Sequence, residues 1–142
     1  MSDLHTRNCL SCSSEQTSPL ALISESGIPS GQPGHEISYS RAIIALCNGC
    51  GSSYLEKFRH DCFDFEDVWN QYTWYVLDKP DTISLQTIIK DCPDPLSPEC
   101  DCPIHHNLRR SCESLPTTYW SNGLESERSH VKSVSLSDIL KP

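Results

Sequence analysis

The fold of this 142-residue chain depends on two cysteine motifs, Cys9-Leu10-Ser11-Cys12 and Cys47-Asn48-Gly49-Cys50-Gly51. Two residues between cysteines let both sulfurs of a tight turn face one ion, and two such turns supply four tetrahedral ligands. Four thiolates leave no coordination position open, which is typical of a structural zinc site. The motifs therefore predict one zinc ion held by Cys9, Cys12, Cys47 and Cys50. The alternative interpretation is that these cysteines are small buried residues without a metal.

The two motifs resemble the paired knuckles of a zinc ribbon over about residues 8–58. The second turn matches the CxxCG form of that family, whereas the first turn lacks the glycine. The spacer of residues 13–46 is long for a ribbon, so we expect part of it to be an insertion. Because zinc ribbons serve transcription, translation and protein interaction alike, the resemblance implies a fold and not an activity.

A second group of potential ligands lies further along the chain, at Cys92, Cys100, Cys102 and His105. Prolines stiffen this segment, which lowers the entropy cost of bringing the cysteines together. Pro103 favours the first turn of a helix, from which His105 or His106 can turn back toward Cys102. We interpret the group as a candidate second zinc site; the alternative is a stiff loop with unrelated thiols.

Two other cysteines have different expected roles. Cys112 recurs with Ile104 and Leu108 at helical spacing, so we expect it to pack in the apolar face of the helix that follows Pro103. His60-Asp61-Cys62 is able to donate a ligand to either metal site, but a structural role at the end of a strand is the favoured interpretation.

The apolar pattern predicts a single α+β domain with a thin core. The share of Leu, Ile, Val and Phe lies barely above the roughly 20 per cent below which chains tend to stay disordered. Strand-like runs lead into and out of Cys47 and Cys50, and aromatic residues concentrate between Tyr54 and Tyr75. The predicted fold is a β-rich zinc ribbon with an aromatic core and a short helical C-terminal portion. We place this domain at residues 1–120 and expect a Ser-rich, loosely ordered tail at residues 121–142.

The sequence carries no recognisable catalytic motif. Zinc deaminases need H-x-E with P-C-x-x-C, and zinc peptidases need H-E-x-x-H. The chain lacks the first pattern, and Ile37, Ser38 and Tyr39 follow His35-Glu36, so the second also fails. We therefore predict that the protein is not an enzyme; an enzyme using the Cys and His residues of the second group is the remaining alternative.

The charge balance favours a protein partner over nucleic acid. The chain has 11 Lys and Arg against 19 Asp and Glu, for a net charge of -8, which leaves few cations to contact phosphates. A nucleic-acid-associated zinc ribbon is the alternative. Four carboxylates alternate with phenylalanines in one short stretch, which suits the docking of a basic protein. These carboxylates are Asp61, Asp64, Glu66 and Asp67.

Size and composition resemble those of toxin-immunity and antitoxin-type inhibitors, many of which bind basic nucleases. This resemblance implies a non-catalytic, acidic inhibitor as the best functional hypothesis. Residues 1–10 lack an apolar signal region, and no stretch of 18 apolar residues is present, so we expect a cytoplasmic protein without a membrane span. In a reducing compartment, paired cysteines are expected to be metal ligands and not disulfides.

Overall fold

A five-stranded sheet with helices on one face organises the part of the chain that the computed structural model describes, which is residues 6–27, 37–62, 68–115 and 131–140. The strands, in the order β1-β2-β3-β4-β5, are β1 (Thr17–Gly27), β2 (Ile37–Cys47), β3 (Ser53–Cys62), β4 (Val68–Leu77) and β5 (Val131–Ser133). The helices are α1 (Lys79–Ile89), α2 (Pro103–Ser114) and α3 (Leu136–Ile139). Strands β1 to β4 are antiparallel, and β5 pairs in parallel with β4. The predicted β-rich α+β class is confirmed.

Side chains on the two faces of the sheet belong to different clusters. On the helical face, alternate strand residues such as Ile44, Leu55 and Tyr75 pack with Leu85 of α1 and Leu108 of α2. The opposite face carries an aromatic cluster. Its members are Tyr39, Tyr54, Phe58, Tyr72 and Trp74. The predicted aromatic core is thus present on one face, while the larger buried cluster is mainly aliphatic.

Polar contacts fix both longer helices on the sheet. Asp78 caps the N-terminus of α1 by accepting a hydrogen bond from the Asp81 N–H, and the Thr82 hydroxyl lies 2.8 Å from that of Ser53 on β3. At the C-terminal end of α2, the Lys57 ammonium donates to the carbonyls of Cys112 and Leu115, at 2.6 and 3.0 Å. Each helix therefore has a defined position over β3.

The described C-terminal residues, 131–140, join the same sheet and core. Ile139 of α3 is fully buried in the aliphatic cluster, and the Val134 N–H donates to the Val76 carbonyl. The other residues of the region for which we expect a loosely ordered tail, 121–130 and 141–142, lie outside the described residues, as does the boundary at residue 120. Among the described helices, none is both long and apolar enough to cross a membrane.

Candidate metal centres

The first group of cysteines joins the start of the chain to the turn between β2 and β3. Cys9 and Cys12 lie in a turn that precedes β1, Cys47 is the last residue of β2, and Cys50 lies in the turn that leads to β3. The four sulfurs lie within 4.8 Å of one another. The structure thus brings together the four residues that the CxxC spacing selects.

The two cysteine turns have the same backbone hydrogen bonds. The Ser13 N–H donates to the Cys9 carbonyl at 2.9 Å, and the Gly51 N–H donates to the Cys47 carbonyl at 3.0 Å. The Cys9 N–H donates to the Ser14 carbonyl, and the Cys47 N–H donates to the Ser52 carbonyl, both at 2.9 Å. In each turn the acceptor lies two residues after the second cysteine. The turns are therefore two copies of one local structure.

The residue after the second cysteine of each turn adopts a left-handed backbone conformation. Gly51 has a φ of 82°, and a Cβ there would lie 3.2 Å from side-chain carbons of Lys79. Ser13 occupies the equivalent position of the first turn with a φ of 66°. The first turn thus adopts the knuckle conformation without the glycine, at the cost of backbone strain at Ser13.

Sulfur distances and N–H donors define a compact thiolate site. Cys9 Sγ lies 3.6 Å from Cys50 Sγ, and Cys12 Sγ lies 3.6 Å from Cys47 Sγ. The Ser11 N–H donates to Cys9 Sγ, and the Cys50 N–H donates to Cys47 Sγ. Such bonds stabilise negative charge on sulfur, so the backbone of each turn favours the thiolate form of its cysteines.

Crowding of the sulfurs separates their pKa values. Burial raises the pKa of the Cys9 thiol, but backbone N–H groups of Cys12 and Ser11 outweigh it and bring the pKa down to about 6. A backbone hydrogen bond at Ser14 lowers the pKa of Cys12, yet burial and the neighbouring sulfurs raise it to about 12. Negative charges this close repel each other, and a bound cation would remove that repulsion.

Arg7 holds the first cysteine turn against the aromatic face. Its guanidinium carbon lies 4.4 Å from the centre of the Trp74 ring, and its Nε lies 3.4 Å from the buried carboxylate of Glu56. The Arg7 carbonyl accepts hydrogen bonds from the Tyr54 and Thr17 hydroxyls, at 2.8 and 2.9 Å. The segment that carries Cys9 is therefore positioned by contacts other than a metal.

The second group lies between α1 and the first turn of α2. Cys92 Sγ is 3.7 Å from Cys100 Sγ and 3.5 Å from Cys102 Sγ. Nδ1 of His105 lies 3.1 Å from Cys92 Sγ and 3.5 Å from Cys102 Sγ. All four ligand atoms lie within 4.8 Å of one another.

His105, and not His106, faces the sulfurs. Its Nε2 lies 3.1 Å from the Leu22 carbonyl, an acceptor, so Nε2 carries the proton and the Nδ1 lone pair points at the sulfurs. The neighbouring His106 is exposed, and its Nε2 contacts Asp101 Oδ1 at 2.6 Å. The sequence alone does not distinguish which of the two histidines is the potential ligand, because both lie in the first turn of the same helix.

Cys102 combines a ligand position with a helix cap. It is the N-cap residue of α2, Pro103 follows it, and its sulfur accepts a hydrogen bond from the His105 N–H at 3.3 Å. Burial raises the pKa of this thiol, but the His105 N–H and ring lower it to about 6. At Cys92, burial and the adjacent sulfurs raise the pKa to about 12. As in the first group, these thiols cannot all ionise easily without a cation.

Arg109 links the second group to the edge of the sheet through hydrogen bonds to backbone carbonyls. Its Nε donates to the Ile23 carbonyl at 3.2 Å, and its Nη2 donates to the carbonyls of Pro98 and Cys100, both at 2.7 Å. The Leu22 N–H donates to the Pro95 carbonyl at 2.8 Å. The ligand loop, residues 90–102 between α1 and α2, therefore contacts backbone groups of β1, which is an edge strand.

The remaining predicted residues have other positions. Cys112 is buried in the aliphatic cluster, where the apolar pattern places it, and the eight described cysteines are free of disulfides. Asp61 is the penultimate residue of β3, but the structure does not describe its side chain or that of Cys62. Asp64, Glu66 and Asp67 lie outside the described residues. Sequence reasoning missed the roles of Arg7 and Arg109, although both lie near a motif, because the groups that they contact on the sheet are distant in sequence.

Comparison with protein-family models, with curated proteins and with solved structures finds no match for this chain. The two groups of ligand-type side chains, each able to hold a metal ion, are therefore the features that define the site.

Proposed function

We propose that this chain is a non-catalytic protein-interaction module whose fold is held by two structural zinc ions. The supporting observation is that each candidate centre gathers four ligand atoms from the protein itself, four sulfurs in one and three sulfurs with one imidazole nitrogen in the other. Both kinds of ligand set are typical of structural zinc sites. Catalytic zinc has three protein ligands and a water, so a complete set of four supports a role in folding.

The spacing of the sulfurs supports a single ion in each site and favours zinc. A tetrahedron with zinc–sulfur bonds of about 2.3 Å has edges of about 3.8 Å. The neighbouring sulfurs lie 3.5 to 3.7 Å apart in the two groups. In an iron–sulfur cluster the four protein ligands are divided among two or more irons, so they cannot all lie this close together. The four ligand atoms of each group lie within 4.8 Å of one another, which argues against a cluster.

Metal analysis of the purified full-length chain tests this proposal. We expect two zinc ions per chain in the wild type, and one in each of the single variants Cys12→Ser and Cys100→Ser. Cys112→Ala is the matched control, since it removes a cysteine that belongs to neither group. It should retain both ions. Spectra of the cobalt-substituted protein should show tetrahedral thiolate coordination at both sites, and a water ligand at either site would contradict the non-catalytic role.

The partner in this proposal is a basic protein, and the acidic stretch 61–67 is its docking site. The net charge of -8 supports this choice, because an acidic surface accelerates and orients the encounter with a basic one. An immunity or antitoxin-type inhibitor that covers a basic cleft has this chemistry.

Charge reversal tests the partner class. Asp64→Lys combined with Glu66→Lys should weaken capture of a basic partner by about 10-fold or more, since rim charges control association. The matched control is Glu15→Lys with Glu99→Lys, which changes the net charge equally at two exposed positions elsewhere. Equal loss in both variants would reject a specific docking site, and tight binding of bulk RNA or DNA at physiological salt would replace it with a nucleic-acid role.

A further inference from the structure

The two candidate metal centres differ in how far solvent reaches their ligands. Cys12 of the first group is exposed, whereas Cys9 and Cys47 are buried and Cys50 is half-buried. In the second group every ligand residue is buried or half-buried. One sulfur of the first group is therefore open to molecules in solution, and the second group has no equivalent.

The exposed sulfur has another sulfur directly beside it. Cys12 Sγ lies 3.6 Å from Cys47 Sγ. Peroxides oxidise those cysteines that are both ionised and accessible, and an adjacent thiolate converts the first oxidation product into a disulfide. Sulfur ligands of a metal ion are deprotonated. A metal-loaded first group therefore meets all three conditions at Cys12.

Contacts other than the metal keep the two cysteine turns together. The Arg7 guanidinium, two residues before Cys9, contacts the Trp74 ring and the Glu56 carboxylate. The second turn connects β2 and β3, which pair along their whole lengths. The four sulfurs therefore stay near one another when the ligand set is broken, which is what a reversible change requires.

We propose that the first group is a redox switch, in which a hydroperoxide oxidises Cys12 and Cys47 to a disulfide and the group loses its zinc ion. This inference rests on the zinc content proposed above. The Cys12 thiolate first attacks the O–O bond, which forms a sulfenic acid and releases hydroxide or alkoxide. The Cys47 thiolate then attacks the Cys12 sulfur, which forms the S–S bond and releases hydroxide. Two electrons pass from the sulfurs to the peroxide, and two of the four ligands are lost.

A dithiol reductant reverses the change. One of its thiolates attacks the disulfide, and its second thiol closes the reductant to a cyclic disulfide, so that both electrons return to Cys12 and Cys47. The second group keeps its ligands throughout this cycle, and with them the contact of His105 with the Leu22 carbonyl on β1. The switch therefore alters the start of the chain and leaves the link between α2 and the sheet in place.

Two single variants separate the groups, because each is expected to hold one zinc ion. Cys100→Ser retains the first site and Cys12→Ser retains the second, and zinc content is measured before oxidation. With hydrogen peroxide in excess, zinc release to a chromophoric chelator should be about 10-fold faster or more from Cys100→Ser than from Cys12→Ser. The wild type should release one ion at each rate. Cys112→Ala is the matched control and should behave as the wild type does, because its cysteine is buried and belongs to neither group.

Peptide mass spectrometry of the oxidised wild type identifies the bond that forms. We expect a disulfide between Cys12 and Cys47, and treatment with dithiothreitol and zinc should restore the full metal content. Equal release rates from the two variants, or a disulfide that lacks Cys12, would overturn the switch while the two-zinc proposal stands. Failure of dithiothreitol to restore the first ion would also overturn it. A wild-type chain without zinc in the first site before oxidation would overturn both proposals together.

Discussion

Ser13 has the same left-handed backbone conformation as Gly51, which occupies the equivalent position in the second cysteine turn. This conformation costs a residue with a side chain about 1–2 kcal/mol, while glycine adopts it freely but loses more entropy on folding. Ser13→Gly is therefore expected to raise the free energy of unfolding by a few tenths to about 1 kcal/mol. The measurement is urea denaturation at a fixed concentration of free zinc.

Two further variants make this prediction specific. Ser11→Gly, in the same turn but without a positive φ, should lower stability, because it adds only the entropy cost of glycine. Gly51→Ala should also lower it, since alanine is strained at a φ of 82° and its methyl group would lie close to the Lys79 side chain. A stabilising Ser11→Gly would mean that turn flexibility, and not strain at Ser13, controls the effect.

His105 and His106 are adjacent residues with different environments, and they form a natural pair for mutation. His105→Ala removes a candidate ligand, so the affinity of the second site for zinc should fall by more than the roughly 10–100-fold that partners outside the ligand shell contribute. His106→Ala removes an exposed contact with Asp101 and should leave zinc affinity unchanged. Competition with a chromophoric chelator measures both. Equal losses would contradict the assignment of His105 as the ligand.

Three buried tyrosines make the stability of the protein sensitive to alkaline pH. Burial raises the pKa values of Tyr39, Tyr54 and Tyr75 from 10.0 to about 12. Between these pH values the unfolded chain has lost phenolic protons that the folded chain keeps, so stability falls as pH rises. Below pH 10 the contribution is complete. The expected loss is on the order of 2 kcal/mol per tyrosine by the upper end of this window.

Tyr54→Phe tests this pH dependence. At neutral pH the variant loses the hydrogen bond to the Arg7 carbonyl, which is worth about 1 kcal/mol. Between pH 10 and 12, however, its stability should decline less steeply than that of the wild type, because one titrating group is gone. Denaturation curves across this range, with zinc content checked at each pH, provide the measurement. Parallel declines in the two proteins would exclude Tyr54 as a contributor.

At the scale of elements, β1 depends on the second group and on Arg109 for the backbone contacts of its outer edge. The Leu22 N–H and carbonyl contact Pro95 and His105, and Arg109 donates to the Ile23 carbonyl. Register shifts in the pairing with β2 leave Leu20 and Ile23 as extra residues of β1. These bulges turn backbone groups of β1 away from the hydrogen-bond ladder with β2. Residues of the ligand loop and of α2 provide hydrogen-bond partners for those groups.

Hydrogen exchange of the Leu22 amide reports on this dependence. When Cys100→Ser removes a ligand of the proposed zinc site, the loop that carries Pro95 loses one of its attachments to the ion, while the contact of His105 with the Leu22 carbonyl can remain. The Leu22 amide should then exchange about 10-fold faster or more, as expected for local opening. Amides of β2 and β3 near Ile44 and Leu55 lie inside the sheet and should be unaffected. Uniform acceleration across the sheet would indicate global destabilisation instead.

The sequence predicts those elements whose signals are local. The CxxC spacing is sufficient to select the first group, and the prolines with helical spacing after Pro103 select the second. By contrast, β5 has only three residues, which are too few to show the alternation of apolar and polar residues that predicts a strand. Its parallel pairing also depends on a strand that is distant in the sequence. The contacts of Arg7 with Trp74 and Glu56 also join residues far apart in the chain. Such contacts form only when the sheet assembles, so no local sequence pattern predicts them.

At the scale of the whole molecule, the two groups are attached to the same part of the sheet. The first group lies where β1 begins and where β2 ends, and the second contacts the outer edge of β1. The other edge of the β1 to β4 ladder is covered by β5. Each group therefore links β1 to residues distant in sequence. A small apolar core leaves this strand dependent on those links.

Loss of the two proposed zinc ions is expected to abolish the folded state, because the free energy of metal binding is as large as the stability of the domain. A structural zinc ion contributes roughly 10–16 kcal/mol, whereas domains of this size are stable by only about 5–15 kcal/mol. Treatment with a strong chelator should therefore eliminate the cooperative thermal transition and the near-ultraviolet circular dichroism, to which the fully buried Trp74 contributes. Zinc added back under reducing conditions should restore both signals. Magnesium added at the same concentration is the control and should restore neither, because thiolates bind this hard cation poorly. A metal-free chain that still unfolds cooperatively would show that the aliphatic and aromatic clusters suffice, and that the two groups serve a purpose other than folding.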